Sequence, residues 1–358
     1  TSVPHYLDLV IGIFRHGDRA PLRSFPTDRN RHSKFWILGY GELTRRGIRT
    51  MRNVGKYLKE RYKTYLTGDP KETNVRSSPK PRCFNSASIL LYELYPSKPP
   101  RQVALGEQWF PFPITRMPED HDKYTLTCKP KIKKMVMKLL NPFGGLFGLT
   151  WFLTRAAPKL GLRLPRDAAI IPDTLDALLV QKEYGLTIPR WFEKRLLRLS
   201  DVSRRLYVLI AEELMMNMGA EILRDIATLL EGRYHLGGNK TKEAIAIAGL
   251  HTRKRHAKLI LYSYHDLNIM ATLKALNKAF SQKPYYGSFV FFEVTRQNQS
   301  KLEIKILYRN GTAQPEVVPV DGCPSPCRVT QFIKLVRKKF PRPFRADTCG
   351  YPKDYVIL

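Results

Sequence analysis

Arg15-His16-Gly17-Asp18-Arg19-Ala20-Pro21 sets an imidazole between two guanidiniums, directly behind the apolar run Leu7–Phe14. Planar guanidinium forks match phosphoryl oxygens, and their fixed charge suits the anionic transition state that forms when a histidine attacks phosphorus. The heptapeptide therefore points to phosphoryl chemistry. A second polar junction, His265-Asp266, lies between Lys258–Tyr264, with strand character, and Leu267–Leu273, with helical spacing. In open α/β sheets, ligands bind in the crevice beyond the carboxyl ends of the strands, where a helix amino terminus adds partial positive charge. Alone, Asp266 reads more readily as a helix cap than as a catalytic group. Two strand ends carrying phosphate-suited groups favour the chemical reading.

The elements that must position these residues are legible in outline. Leu7–Phe14 mixes aliphatic and β-branched side chains with little polar interruption, the pattern of a strand buried on both faces. From Leu43 to Leu66, Ile48, Met51, Leu58, Tyr62 and Leu66 recur at near-helical spacing, and Thr44 suits a helix cap. Val75–Ser78 reads as a short strand, and Ser86–Tyr95 as a helix. The Pro99-Pro100 and Pro111–Pro113 stretches read as irregular connection. Residues 126–238 turn to helical patterning, with Lys131–Leu140, Asp173–Tyr184 and Phe192–Leu230 as segments around a break at Gly144-Gly145. Strand character returns at Lys258–Ser263, Ser288–Thr295 and Lys301–Tyr308. The expected architecture is α/β: a central, mainly parallel sheet flanked by helices, built from 1–125 and 239–358, with 126–238 inserted as a mostly α-helical cap.

Composition narrows the function classes further. With 358 residues and 43% hydrophobic content, the chain can bury a substantial core without metals or many disulfides. No uninterrupted apolar stretch approaches the roughly 18 residues of a spanning helix. The start, Thr1–Tyr6, has neither a charged nor an apolar leader region, so any secretory signal is expected to have been removed or never to have existed. Of the five cysteines, Cys323 and Cys327 flank a Pro-rich loop that suits a disulfide, and they have no neighbouring His or Cys to complete a zinc site. Sequons at Asn239, Asn298 and Asn310 permit glycosylation, and with the cysteines they point to a secreted protein. Lys and Arg number 61 against 31 acids, a net charge of +30. That excess attracts anions, and its basic clusters allow contact with polyanions or simply a solvated basic surface. No zinc-finger, basic-zipper or RNA-binding signature accompanies it.

With both motifs in view, the chain resembles the histidine acid phosphatases, the second branch of the histidine phosphatase superfamily. That family carries Arg-His-Gly-x-Arg-x-Pro early and His-Asp late. The resemblance runs along the whole chain and extends to the animal prostatic, lysosomal and insect venom acid phosphatases. Supporting stretches are Gly39–Thr44, Tyr184–Thr187 and Gly322–Cys327. It implies a secreted, metal-free and cofactor-free acid phosphatase that hydrolyses phosphate monoesters through a phosphohistidine on His16. Arg15, Arg19 and Arg76 would hold the phosphoryl group, His265 would donate to one of its oxygens, and Asp266 would protonate the leaving alkoxide and then help activate water. For that an unprotonated imidazole must coexist with a protonated carboxyl, so the reaction is expected to favour acid pH.

The resemblance further implies disulfides Cys128–Cys349 and Cys323–Cys327, leaving Cys83 free, and places Trp109 in the ligand pocket, where a core tryptophan is the equal alternative. Relatives often dimerise, so a homodimer is expected by analogy. One departure stands out: acids commonly follow the third arginine three and five positions later, but here Pro79 and Pro81 fill those places, which would position Arg76 differently. That departure and the basic composition also support a rival reading. In it, a weak or inactive salivary or venom relative captures biogenic amines such as serotonin or histamine, or anionic lipids such as leukotrienes, in the ancestral pocket.

Overall fold

A computed structural model of the chain describes residues 6–96, 111–116, 122–125, 155–163, 170–214, 218–236, 257–279, 282–298 and 301–343, with a few isolated positions between them. Among the described residues, eight strands form one mixed sheet: β1 (Leu7–Arg15), β2 (Thr73–Ser77), β3 (Ile114–Arg116), β4 (Leu259–Tyr264), β5 (Phe289–Asn298), β6 (Lys301–Arg309), β7 (Glu316–Val317) and β8 (Cys327–Arg328). They run in the order β3-β2-β4-β1-β5-β6-β7, with β8 against β6. The four strands from β3 to β1 are parallel, and β5 joins β1 antiparallel. Because β4 pairs directly with β1, and Arg15 sits opposite Tyr264, His16 and His265 leave the sheet side by side. Distant parts of the chain thus meet at one strand end.

The period of two along β1 decides what covers each face. Leu9, Ile11 and Ile13 enter one core, packed by α6 (Ala220–Arg233), α7 (Asp266–Ala275) and α8 (Val329–Lys339). Val10 and Phe14 enter the other, under α1 (Arg45–Arg61) and α2 (Pro81–Leu94). Both faces are closed, as the unbroken apolar run requires. At about 1.5–3 kcal/mol for each large aliphatic or aromatic side chain buried, these layers hold the site's floor rigid. Phe14, Phe289 and Phe291 stack in series at 4.8 Å and tie β1 to β5. In chain order between β3 and β4 come α3 (Ile171–Glu183), α4 (Arg190–Glu193) and α5 (Leu196–Leu214). Part of this stretch forms a separate cluster, in which Phe25 packs against Leu160, Leu175 and Phe192.

Local chemistry accounts for the boundaries. Thr44 caps α1, its hydroxyl accepting from the Gly47 amide at 3.1 Å. The helix expected from Ser86 begins five residues earlier, because Pro81 occupies its first turn, where a missing amide costs nothing. Cys323 and Cys327 are joined as expected, with Cα atoms 5.4 Å apart, and Cys83 is free and buried. Cys128, Cys349, Trp109, the Asn239 sequon and, apart from Lys134, the Lys131–Leu140 segment lie outside the described residues. Among the described residues, no helix is long and apolar enough to cross a membrane.

The motif loop after β1 lies hard against α1. A Cβ on Gly47 would stand 2.0 Å from the Asp18 carbonyl oxygen, and one on Gly17 would stand 2.5 Å from the Gly47 oxygen. Asp18 fastens the same contact, accepting from Arg46 at 2.5 Å and from the Thr50 hydroxyl at 2.6 Å. Helix propensity alone would make Gly47→Ala stabilising by about 1 kcal/mol. The clash reverses the sign. We expect Gly47→Ala to lower stability by about 1–3 kcal/mol, read as a reduced denaturant midpoint. An unchanged or raised midpoint would show that the loop has room to retreat.

Candidate active site

Five chain segments converge at the carboxyl ends of β1 and β4. His16 follows β1, and its amide donates to the Tyr264 carbonyl at 3.1 Å. Its Nδ1 lies 2.8 Å from the Gly17 carbonyl, which can only accept, so Nδ1 carries the proton and Nε2 keeps its lone pair. The His265 ring sits edge-on to that of His16, with centroids 5.4 Å apart, and Nε2 of His265 lies 2.9 Å from the Ser78 hydroxyl. Asp266 opens α7, one oxygen accepting from the Leu267 amide at 2.8 Å and the other facing Arg15 at 3.0 Å. His16, Arg15, Arg19, His265 and Asp266 are thus gathered at one place. The approach to β5 adds Tyr286, whose ring lies 3.7 Å beneath the Arg15 guanidinium.

Charge in the crevice is arranged as an alternating chain. Arg15 pairs with Asp266, Asp266 with Lys283 at 3.1 Å, Lys283 with Asp176 at 3.4 Å, and Asp176 with Arg19 at 2.8 Å. Lys283 and Asp176 carry no signal in the sequence. Asp176 stands on α3 and Lys283 in the approach to β5, and only tertiary packing brings them to the motif. Arg82, near the start of α2, donates through Nε to the free Nε2 of His16 at 3.2 Å.

Arg76 corrects an expectation. The reading from resemblance made it the third phosphoryl-holding guanidinium, but its Nη2 is ion-paired with Asp122 at 2.9 Å and its Nε donates to the Tyr264 hydroxyl at 3.0 Å. Both partners of the pair are buried, and the guanidinium stacks 4.4 Å from the Tyr124 ring. Pulling Arg76 toward a ligand would strand Asp122 as a buried charge, at a cost of about 3–5 kcal/mol. Arg76 belongs to the support of the sheet.

Burial, then the nearby Arg82, His265, Arg15 and Arg19, holds the His16 imidazole well below its ordinary value, so it stays neutral into the acid range. His265 is lowered for the same leading reason, burial, followed by Arg82. For Asp266 burial pushes upward, but Lys283, Arg15, His16 and Arg19 outweigh it and hold the carboxyl well below the usual range. Asp266 is therefore ionised, whereas the proton donation that the resemblance implies needs the acid form. Burial likewise pushes Asp176 upward, and Arg19 and Lys283 bring it down to about 2.

Because the folded state holds both imidazoles neutral, the unfolded chain binds more protons between their lowered values and about pH 6.5. Stability then rises with pH through that window and falls as the solution is acidified. We expect the denaturant midpoint to drop progressively below about pH 6.5. A midpoint that stayed flat or rose toward acid would contradict neutral burial of the two rings.

Comparison with known proteins shows what the chain is similar to. Residues 6–130 fit the model of the histidine phosphatase superfamily (branch 2). The testicular acid phosphatase of Mus musculus is 30% identical over 344 residues, spanning 90% of this chain and 77% of that protein. The chain belongs to the histidine phosphatase superfamily, branch 2. The lysosomal acid phosphatase of Bos taurus is 25% identical over 98% of this chain and 83% of its own length. Among solved structures, the apo form of Hafnia alvei phytase superposes with a TM-score of 0.64 at 16% identity, covering 98% of this chain and all of that one. That likeness extends to the fold. The α/β architecture expected from the sequence, with mainly parallel central strands, is thereby upheld.

Proposed function

We propose that the protein is an acid phosphatase that hydrolyses phosphate monoesters through a phosphohistidine on His16. The observation that carries this reading is the neutral His16 imidazole, with its Nε2 lone pair directed into a crevice of cations that also holds Asp266. The names of the acid phosphatase relatives support it. Nε2 bonds to phosphorus as the ester P–O bond breaks, and Arg15, Arg19 and His265 steady the phosphoryl oxygens. Asp266, protonated once the anion has engaged Arg15 and Lys283, gives its proton to the departing alkoxide. The carboxylate so formed then takes a proton from water as its oxygen attacks the phosphohistidine, releasing orthophosphate and restoring His16.

The helical segment 126–238 belongs to the same proposal as a cap over the crevice, with Asp176 reaching Arg19 from its described part. A secretory compartment is supported by the Cys323–Cys327 disulfide. Electrostatics disfavour the amine-binding alternative: Arg15, Arg19, Arg82 and Lys283 outnumber Asp176 and Asp266, so a protonated amine would enter against a positive field. The deciding assay is release of p-nitrophenol from p-nitrophenyl phosphate at acid pH. Release no faster than from a heat-inactivated sample would overturn the assignment.

A further inference from the structure

The outer face of α1 carries charge that the crevice does not use. Seven residues of this helix are exposed, and five of them, Arg45, Arg49, Arg52, Lys56 and Lys59, are cations. They recur after four, three, four and three residues, the alternation that keeps side chains on one side of a helix. At 1.5 Å of rise per residue the file runs about 21 Å. The remaining exposed positions are Asn53 and Glu60, and Glu60 is taken by Lys63 at 2.6 Å. Of the five cations, only Arg52 has an ion pair among the described residues, with Glu93 of α2. Beside the file, Arg309 at the end of β6 lies 4.0 Å over the Tyr57 ring, its Nε and Nη1 buried without a hydrogen-bond partner. A further uncompensated cation thus backs the same helix.

This arrangement works against the helix that carries it. Like charges three and four residues apart repel, and the first turn holds no acid although the helix dipole favours one there. Packing does not call for the charge, because Met51, Val54 and Leu58 already secure the buried side. An external polyanion removes both penalties. We propose that the exposed face of α1 is a docking surface for a linear sulfated polysaccharide. Sulfates spaced along a chain meet the row of cations in turn, and the forks of Arg45, Arg49 and Arg52 suit their oxygens. A lipid surface fits less well, since the helix exposes no aliphatic or aromatic side chain to enter it. The same absence denies single-stranded nucleic acid a stacking platform. Duplex nucleic acid admits a helix into its major groove, but α1 is pressed against α2, where a Cβ on Gly55 would stand 2.7 Å from the Leu90 carbonyl oxygen. Only its outer face is free. Sulfated polysaccharides also belong to the secretory and extracellular space, the compartment that the Cys323–Cys327 disulfide supports.

Heparin is the probe. The parent protein is compared with the triple variant Arg49→Gln, Lys56→Gln, Lys59→Gln and with a control triple at the exposed side of α8, Arg328→Gln, Lys334→Gln, Lys338→Gln. Both remove three charges, so a difference between them does not come from net charge. Retention on immobilised heparin and calorimetric affinity are measured at several chloride concentrations, beside the thermal midpoint. The parent should stay bound at physiological ionic strength. The α1 triple should lose at least about tenfold in affinity, with the slope of log affinity against log salt reduced by about two to three, and the control should stay near the parent. Because the replaced side chains are exposed and without ion pairs, the midpoint should hold or rise, and p-nitrophenyl phosphate turnover should not change. Equal losses in the two triples, or no retention of the parent, overturns the proposal. Tighter binding to duplex DNA or phosphatidylserine vesicles than to heparin at the same salt overturns the choice of partner. Heparin that competes with p-nitrophenyl phosphate would lie in the crevice and overturn the choice of surface. Should the α1 triple unfold, the single variants Arg49→Gln and Lys56→Gln decide the same question through their salt slopes.

Discussion

His16→Ala is expected to reduce turnover of p-nitrophenyl phosphate by at least about a thousandfold while leaving the fold intact. The ring is held by its own backbone neighbour, with Nδ1 donating to Gly17 at 2.8 Å, and no other described side chain presents an uncharged nitrogen in the same place. His265 is the nearest substitute. Its ring is turned edge-on, and its nitrogens are engaged by the Ser78 hydroxyl and lie near the Cys83 sulfur. Loss of activity with retained phosphate binding would separate the nucleophile from the binding cations, because Arg15 and Arg19 remain in place. Rapid mixing with a labelled phosphate ester, followed by alkaline quench, should trap label on the parent and none on the variant. Undiminished turnover in His16→Ala would remove the phosphohistidine from the mechanism.

Asp266→Asn carries the second large effect, and its size should depend on the leaving group. Asparagine keeps the shape and can still accept from the Leu267 amide, but it cannot deliver a proton at useful acidity. For an alkyl phosphate, whose alkoxide is a poor leaving group, kcat should fall by roughly 10²–10⁴. For p-nitrophenyl phosphate, whose phenolate departs without help, the first step should be much less affected, and labelled phosphohistidine should accumulate as water activation falters. The variant also frees Arg15 and Lys283 from a carboxylate, so orthophosphate should bind more tightly than to the parent. Equal losses on both esters with no accumulation would assign Asp266 to positioning.

Both halves of the reaction centre could be read from the sequence because each sits where a run of apolar residues stops. Leu7–Phe14 and Lys258–Tyr264 announce buried strands, and in a parallel pair their carboxyl ends share one edge, so His16 and His265 were bound to approach each other. Arg82 was visible but hidden by its surroundings. Pro79 and Pro81 bear on where Arg76 is placed, yet a proline in the first turn is also a helix-starting signal, and α2 starting at Pro81 puts Arg82 in its first turn. Asp176 and Lys283 had no such clue. An acid on a helical stretch and a lysine before a strand are ordinary surface residues until α3 and the β5 approach fold over the motif. The ionised state of Asp266 was equally out of reach, since it follows from Lys283 standing 3.1 Å away.

The alternating chain from Arg15 through Asp266, Lys283 and Asp176 to Arg19 means that the protein's own carboxylates already serve these cations as counter-ions. An arriving ester must trade places with them, as on an ion-exchange resin, and the net gain is the difference between two strong attractions. Orthophosphate left behind after hydrolysis meets the same returning competitors, which help to push it out and clear the crevice for the next molecule.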